Sequence, residues 1–253
     1  MFIFLSFDFD ADSAEQYYYH DQIVKMSKAR FSINVGLQRV LKLLKNYGIK
    51  TTFFTPGWVV ENYPGSVKMI INDGHELASH GYRHEKLNEL SYEEEYNVHK
   101  KAVNILKQVQ GFVYGFRRPY WEITRNTFAI LAQLGVLYDS SLMDSDEPYV
   151  FNVNGRTMVE LPVYDIYDDW ILFEIEHRSP KDVLNMWIYE LKAALEEELS
   201  YFCLILHPAC IGRASRIRIL DEFIRFALDR KCRFASGYEI AQKELRKSKK
   251  ALQ

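Results

Sequence analysis

The chain has 253 residues, 48% of them apolar, and its 32 Lys and Arg nearly balance 34 Asp and Glu, leaving a formal net charge of −2. This composition excludes an intrinsically disordered chain, and without a basic excess non-specific nucleic-acid binding loses its main support. The apolar run Phe2–Phe7 is broken by Ser6, stops at Asp8 and lacks a basic flank, so neither a membrane span nor a secretory leader is expected.

Three cysteines without a CxxC pair, Cys203, Cys210 and Cys232, point to a reducing, cytoplasmic setting. From the N-terminus, Phe2–Phe7 reads as a strand covered on both faces. A long irregular segment from Phe9 to about Asn34 follows. Val35–Tyr47 then carries Leu37, Val40, Leu41 and Leu44 at helical spacing, with Gly48 as its stop. Thr51–Phe54 is the second strand, closed by Pro56-Gly57; Ser66–Asn72 is helical to Gly74, and His75–Ser79 is the third strand. A helix is expected from Tyr92 to Val109, with Ser91 as N-cap and Glu94 as its capping-box partner.

Val113–Phe116 reads as a strand, Thr124–Leu134 as a helix, and Val136–Tyr138 and Met158–Val163 as strands, with Asp139–Gly155 a second irregular stretch. Pro180 sits near a helix start leading into Val183–Leu199, and Tyr201–Leu206 is a buried strand. Arg216–Leu228 is helical, Arg233–Ser236 a short strand and Tyr238–Leu245 a closing helix, with Arg246–Lys250 a frayed basic tail. This βα rhythm without a linker or internal repeat predicts one α/β domain, a barrel or a doubly wound sheet. Loops as long as the two irregular segments are usually functional.

Barrel enzymes carry their reactive groups at the C-terminal ends of strands. Those ends here hold Asp8 and Asp10, His80 and His84, Arg117, Asp168 and Asp169, and His207. If their segment turns helically, His80 and His84 share one face and can grip one metal ion; alone the pair is weak, and a solvated turn is the plainer reading. Asp8 and Asp10 point to one side of an extended chain, so one can ligate a metal while the other takes a proton from water. Asp12 reads better as an acidic turn. Asp168 and Asp169 can orient and charge His207. His20, His75, His99 and His177 lack complementary neighbours and are read as structural or solvated. Two histidines and a carboxylate leave open positions on a metal for water and substrate; with a carboxylate base and a histidine acid the set describes amide or ester hydrolysis.

In order, Ser6-Phe7-Asp8-Phe9-Asp10, His80-Gly81-Tyr82-Arg83-His84, Arg117-Arg118-Pro119-Tyr120, Asp168-Asp169-Trp170 and Leu204-Ile205-Leu206-His207-Pro208 resemble the five motifs of the polysaccharide deacetylase family, the NodB-homology carbohydrate esterases. The resemblance runs from Ser6 to Pro208. It implies a distorted (β/α)7 TIM-like barrel over a single catalytic domain, residues 1–253, and one divalent metal, commonly zinc, with Co, Mn, Fe or Ni as alternatives. By analogy Asp8 is the base and Asp10, His80 and His84 are metal ligands. Arg117 orients Asp8, the Tyr120 N–H faces the oxyanion, and His207 is the acid, partnered by Asp168 or Asp169. Trp170 and Leu206 form the acetyl pocket.

The family's sugar deacetylases usually have two adjacent aspartates followed by Gly; here Phe9 separates them and Ala11 follows. That form, with Tyr138–Met143 and Pro148-Tyr149, looks more like the branch of peptidoglycan-deacetylase-like and allantoinase-like members. The leading expectation is therefore a metal-dependent hydrolase of a non-peptide C–N bond, N-deacetylating an amino sugar or polysaccharide. The alternative is a cyclic amide or imide hydrolase. A silent carbohydrate-binding or scaffold protein ranks low, because all five motif positions are filled. Expected partners are an N-acetylated sugar or a small cyclic amide, with no nucleic acid and no membrane span; self-association into a homo-oligomer is left open.

Overall fold

A computed structural model describes residues 1–19 and 21–251, so His20 lies outside the described residues. Its framework is a sheet of nine strands: β1 (Phe2–Asp8), β2 (Thr52–Thr55), β3 (Glu76–Ser79), β4 (Gly115–Phe116), β5 (Tyr138–Asp139), β6 (Tyr149–Val153), β7 (Arg156–Glu160), β8 (Tyr201–Leu206) and β9 (Arg233–Phe234). The sheet runs β6-β7-β5-β4-β3-β2-β1-β8, with β9 pairing the start of β1. All pairings are parallel except the β6–β7 hairpin. Beyond β8, Asp168 bridges Ile205.

Strand parity shows how the sheet curls. Phe4, Phe54, Ala78, Tyr138, Val159, Cys203 and Ile205, drawn from β1, β2, β3, β5, β7 and β8, meet in one inner cluster. Strands at opposite ends of the path share that cluster only if the sheet bends round on itself. Their neighbours of opposite parity, among them Ile3, Leu5, Phe7, Phe53, Leu77, Leu204 and Leu206, pack outward against helices such as Leu37–Asn46 and Tyr92–Gln110. Burial on both faces is why β1 and β8 read as continuous apolar runs. The expected barrel is thus present in open form, and its C-terminal rim carries the ends of β1, β3, β4 and β8.

Tyr92–Gln110 has its capping box, Ser91 N–H donating to Glu94 Oε2 at 2.8 Å, and ends on Gly111 in the left-handed region. Three expectations are corrected. Phe9–Asn34 contains the helices Ser13–Tyr18 and Ile23–Phe31, the second continuing through the wide turn Ser32–Gly36 into Leu37–Asn46. Their apolar pattern is hidden because Ile23 and Val24 are exposed while only Met26 and Ala29 of the second helix are buried. Asp139–Gly155 contains β6, whose hairpin turn Asn154-Gly155 has φ of 50° and 80°; Asn-Gly is the short-range signal for such a turn. Arg246–Lys250 is not frayed: it extends the last helix, Gly237–Ala251. Among the described residues no helix is long and apolar enough to cross a membrane.

Candidate active site

β1 ends at Asp8, and parity points its side chain the same way as Phe4 and Ser6, into the barrel mouth. Arg117, just past β4, donates from Nη1 to Asp8 Oδ1 at 2.8 Å. Its remaining donors are held by Ser140, through Nε to the carbonyl (3.2 Å) and Nη2 to Oγ (2.9 Å). Burial by itself would raise the Asp8 carboxyl, yet Arg117, helped by His80 and His207, holds it below the ordinary carboxylate range.

His80 and His84 do converge, but not on a helix. Gly81 at φ +73° and His84 at φ +62° form a tight turn. Glu85 clamps it by accepting from Tyr82 N–H (2.9 Å) and Arg83 N–H (2.7 Å), and a Cβ at Gly81 would meet Glu85 Oε2 at 2.9 Å. His80 Nδ1 lies 2.8 Å from the Arg117 carbonyl. A carbonyl only accepts, so Nδ1 carries the proton and Nε2 presents its lone pair to the mouth. His80 Nε2 is 3.6 Å from Asp10 Oδ1, and His84 Nε2 is 3.9 Å from Asp10 Oδ2.

Donor atoms of Asp10, His80 and His84 all lie within 4.8 Å of one another. Asp10 Oδ1 and His84 Nδ1 are buried without a hydrogen-bond partner. Burial, with Asp8, Glu15 and Asp168 nearby, pushes Asp10 up to about 8 against the opposing pull of His207. Burial also brings His80 down to about 4 and His84 well below the ordinary histidine value. Neutral imidazoles beside an uncompensated carboxylate are the donor set a divalent cation requires, and the partnerless Asp10 Oδ1, 3.6 Å from His80 Nε2, fits one.

His207 closes the site from β8. Asp169, fully buried, accepts from His207 Nδ1 at 2.8 Å and from its backbone N–H at 3.0 Å. Asp168 stands 3.6 Å from Nδ1. Burial opposes charge on the ring, but Asp168, Asp169 and Asp8 outweigh it and raise His207 well above its ordinary value. His207 Nε2 thus faces the mouth, 4.0 Å from Asp8 Oδ2 and 3.9 Å from Asp10 Oδ2. These groups line one cavity of about 380 Å³ with Tyr120, Trp121, Val163, Trp170 and Ile205.

A family model for polysaccharide deacetylases matches residues 25–138. A solved Mycobacterium smegmatis protein provisionally assigned to the polysaccharide deacetylases is 32% identical, with a TM-score of 0.90 over 98% of this chain and 91% of that one. The chain belongs to the polysaccharide deacetylase family. Membership makes it a hydrolase of amide carbon–nitrogen bonds, in a family whose deacetylases are in general metalloenzymes. A peptidoglycan deacetylase of Helicobacter pylori is 28% identical over 233 residues, 79% of this chain and 80% of that protein. An allantoinase structure superposes with a TM-score of 0.88 over 95% of this chain and 89% of that one at 21% identity, a likeness of fold alone.

Of the residues singled out in the sequence, Asp8, Asp10, His80, His84, Arg117, Tyr120, Asp168, Trp170 and His207 line this deacetylase cavity, and Asp169 lies directly behind His207. Leu206 does not. It is fully buried among the outward-facing residues of β8, and Ile205, one step out of parity, faces the cavity instead. Four contacts escaped sequence reasoning: Ser140 on Arg117, Glu85 on the histidine turn, the Lys28–Glu174 ion pair beside Trp170, and Gly36, where a Cβ would meet the Pro208 carbonyl at 2.0 Å. Each joins segments distant in sequence or depends on a turn that has no pattern of its own. Asp12 starts the helix Ser13–Tyr18 but spends its side chain on Tyr63 (2.7 Å) and Gln16 (3.2 Å) rather than on a cap.

Proposed function

We propose that this protein, as one catalytic domain, removes an N-acetyl group from an amino sugar, free or within a polysaccharide, with Asp10, His80 and His84 holding one divalent metal, zinc first among candidates. Bound there, such an ion polarises the amide carbonyl and makes water more acidic. Asp8, kept anionic by Arg117, takes a proton from the attacking water. The Tyr120 N–H faces the developing oxyanion; Tyr120 and Trp121 have φ of 50° and 67°, and strained backbone of this kind is concentrated at functional sites. His207, kept protonated by Asp169, gives its Nε2 proton to the departing amine. Trp170 and Ile205 bound the space for the acetyl methyl.

The observation that carries the reading is the pairing of opposite charge states across one point. Asp8 and His207 approach within 4.0 Å beside Asp10, one driven to the anion and the other to the cation. Three buried free thiols support a reducing compartment, where a soluble acetylated sugar or a precursor serves better as substrate than an intact wall polymer. Acetate release from N-acetylglucosamine and its oligomers, run beside ring opening of allantoin and hydantoin, tests the reading. Turnover of the sugars is expected; turnover of the cyclic amides alone would transfer the site to the alternative chemistry.

A further inference from the structure

Arg117 and Arg118 are neighbours in sequence with opposite circumstances. All three nitrogens of Arg117 are occupied, by Asp8 and Ser140. Arg118 is only 7% exposed and lines the same cavity, yet among the described residues its guanidinium makes no hydrogen bond and no ion pair. Its one hydrogen bond is the backbone N–H to Ser141 Oγ, at 3.1 Å. The guanidinium lies over Trp121, 5.5 Å from the ring centroid. A ring beneath the plane steadies the fork and takes none of its in-plane N–H donors.

The nearest buried acids, Asp139 and Glu160, act on Arg118 through their charge but make no ion pair with it, and their hydrogen bonds go elsewhere. Asp139 and Glu160 face each other across paired positions of β5 and β7, each with one oxygen buried and without a hydrogen-bond partner. Asp139 accepts from Ser141 Oγ at 2.8 Å, and Glu160 from the N–H groups of Ser141 and Leu142 at 3.0 and 2.9 Å. A guanidinium carries five donors and cannot shed its charge; no Arg118 nitrogen is among the sealed, partnerless atoms, so these donors reach the cavity and stand open to an acceptor there. A planar fork matches an oxyanion with two free oxygens.

From this geometry we infer that Arg118 anchors an anionic substituent of the substrate, a carboxylate or a phosphate on the acetylated sugar, so that the cavity selects acidic over neutral sugars. The inference takes the sugar from the deacetylase reading above; the anion subsite itself rests on Arg118 alone. The cavity of about 380 Å³ has room for one sugar ring with such a substituent.

The test measures, by calorimetry on the whole 253-residue chain loaded with zinc, the affinities of N-acetylglucosamine, N-acetylmuramic acid and N-acetylglucosamine 6-phosphate. At least one acidic sugar should bind about tenfold to a hundredfold more tightly than the neutral one, as expected for a charge-assisted bidentate contact. The two acidic arms tell carboxylate from phosphate. In Arg118→Gln the ratio of acidic to neutral affinity should fall to near one, and Arg118→Lys should keep part of it; thermal melting verifies that both variants are folded. Equal binding of acidic and neutral sugars, binding of none, or a preference that survives Arg118→Gln overturns the inference. Acetate release is scored separately on the same three sugars. An Arg118-dependent acid preference with no acetate released would leave the anion subsite standing and remove the deacetylase reading.

Discussion

Replacing Asp169 with asparagine should separate a charged from a merely steric support for His207. The amide oxygen can still accept from both the His207 backbone N–H, now at 3.0 Å, and from Nδ1, now at 2.8 Å, so the ring keeps its place. What disappears is a buried negative charge facing the imidazolium. A hydrogen bond to a charged group contributes about 1.5–3 kcal/mol, and about 1.4 kcal/mol is tenfold in an equilibrium, so the His207 imidazolium should be favoured about tenfold to a hundredfold less and its value should fall. Asp168, 3.6 Å away, remains and keeps the fall from being larger. A general acid works only while protonated, so a lower value moves the alkaline limb of the kcat profile to lower pH. Acetate release by the metal-saturated enzyme should lose about tenfold to a hundredfold in kcat above that limb, with the acidic limb and KM little changed. An alkaline limb that stays in place, whatever happens to the rate, would refute the role given to Asp169.

Further consequences can be measured with similar means. Arg117→Met strips Asp8 of its cation, so the Asp8 value rises, the acidic limb moves to higher pH and kcat falls by about a hundredfold; an unmoved limb would contradict this. Glu85→Ala releases the turn that carries both histidines, and metal affinity measured by chelator competition should drop about tenfold to a hundredfold while the chain stays folded. His75, away from the cavity, accepts from Thr51 N–H at 3.3 Å, and burial takes it from 6.5 down to about 4. The unfolded chain therefore binds a proton below pH 6.5 that the folded one declines until about pH 4, and stability contributed by neutral His75 is lost as pH falls through that window. Melting temperatures of His75→Gln should consequently decline less steeply than the parent's between those values; parallel curves would argue against it.

How far the sequence could be read depended on the range of the forces involved. β1 and β8 were legible because burial on both faces writes an unbroken apolar run, and the Ser91–Glu94 box because capping is local. The reactive groups stood out because Asp8 ends a strand and His80, Arg117 and His207 each follow one directly. The helices Ser13–Tyr18 and Ile23–Phe31 escaped because they cover the cavity rather than the core, so polar and exposed apolar residues interrupt their period. The turn of His80 and His84 was expected as a helical pair; only tertiary contacts, Glu85 and the Arg117 carbonyl, fix its actual form. Leu206 was misplaced by one residue of strand parity, which is all that separates the cavity from the outer core.

The three-ligand centre is most directly examined by elemental analysis of the purified protein and its variants. About one divalent ion per chain is expected in the parent and in His207→Ala, and almost none in Asp10→Ala or His80→Ala, with turnover lost in all three variants. Full metal occupancy together with full turnover in either ligand variant would contradict the arrangement of Asp10, His80 and His84 around a single cation.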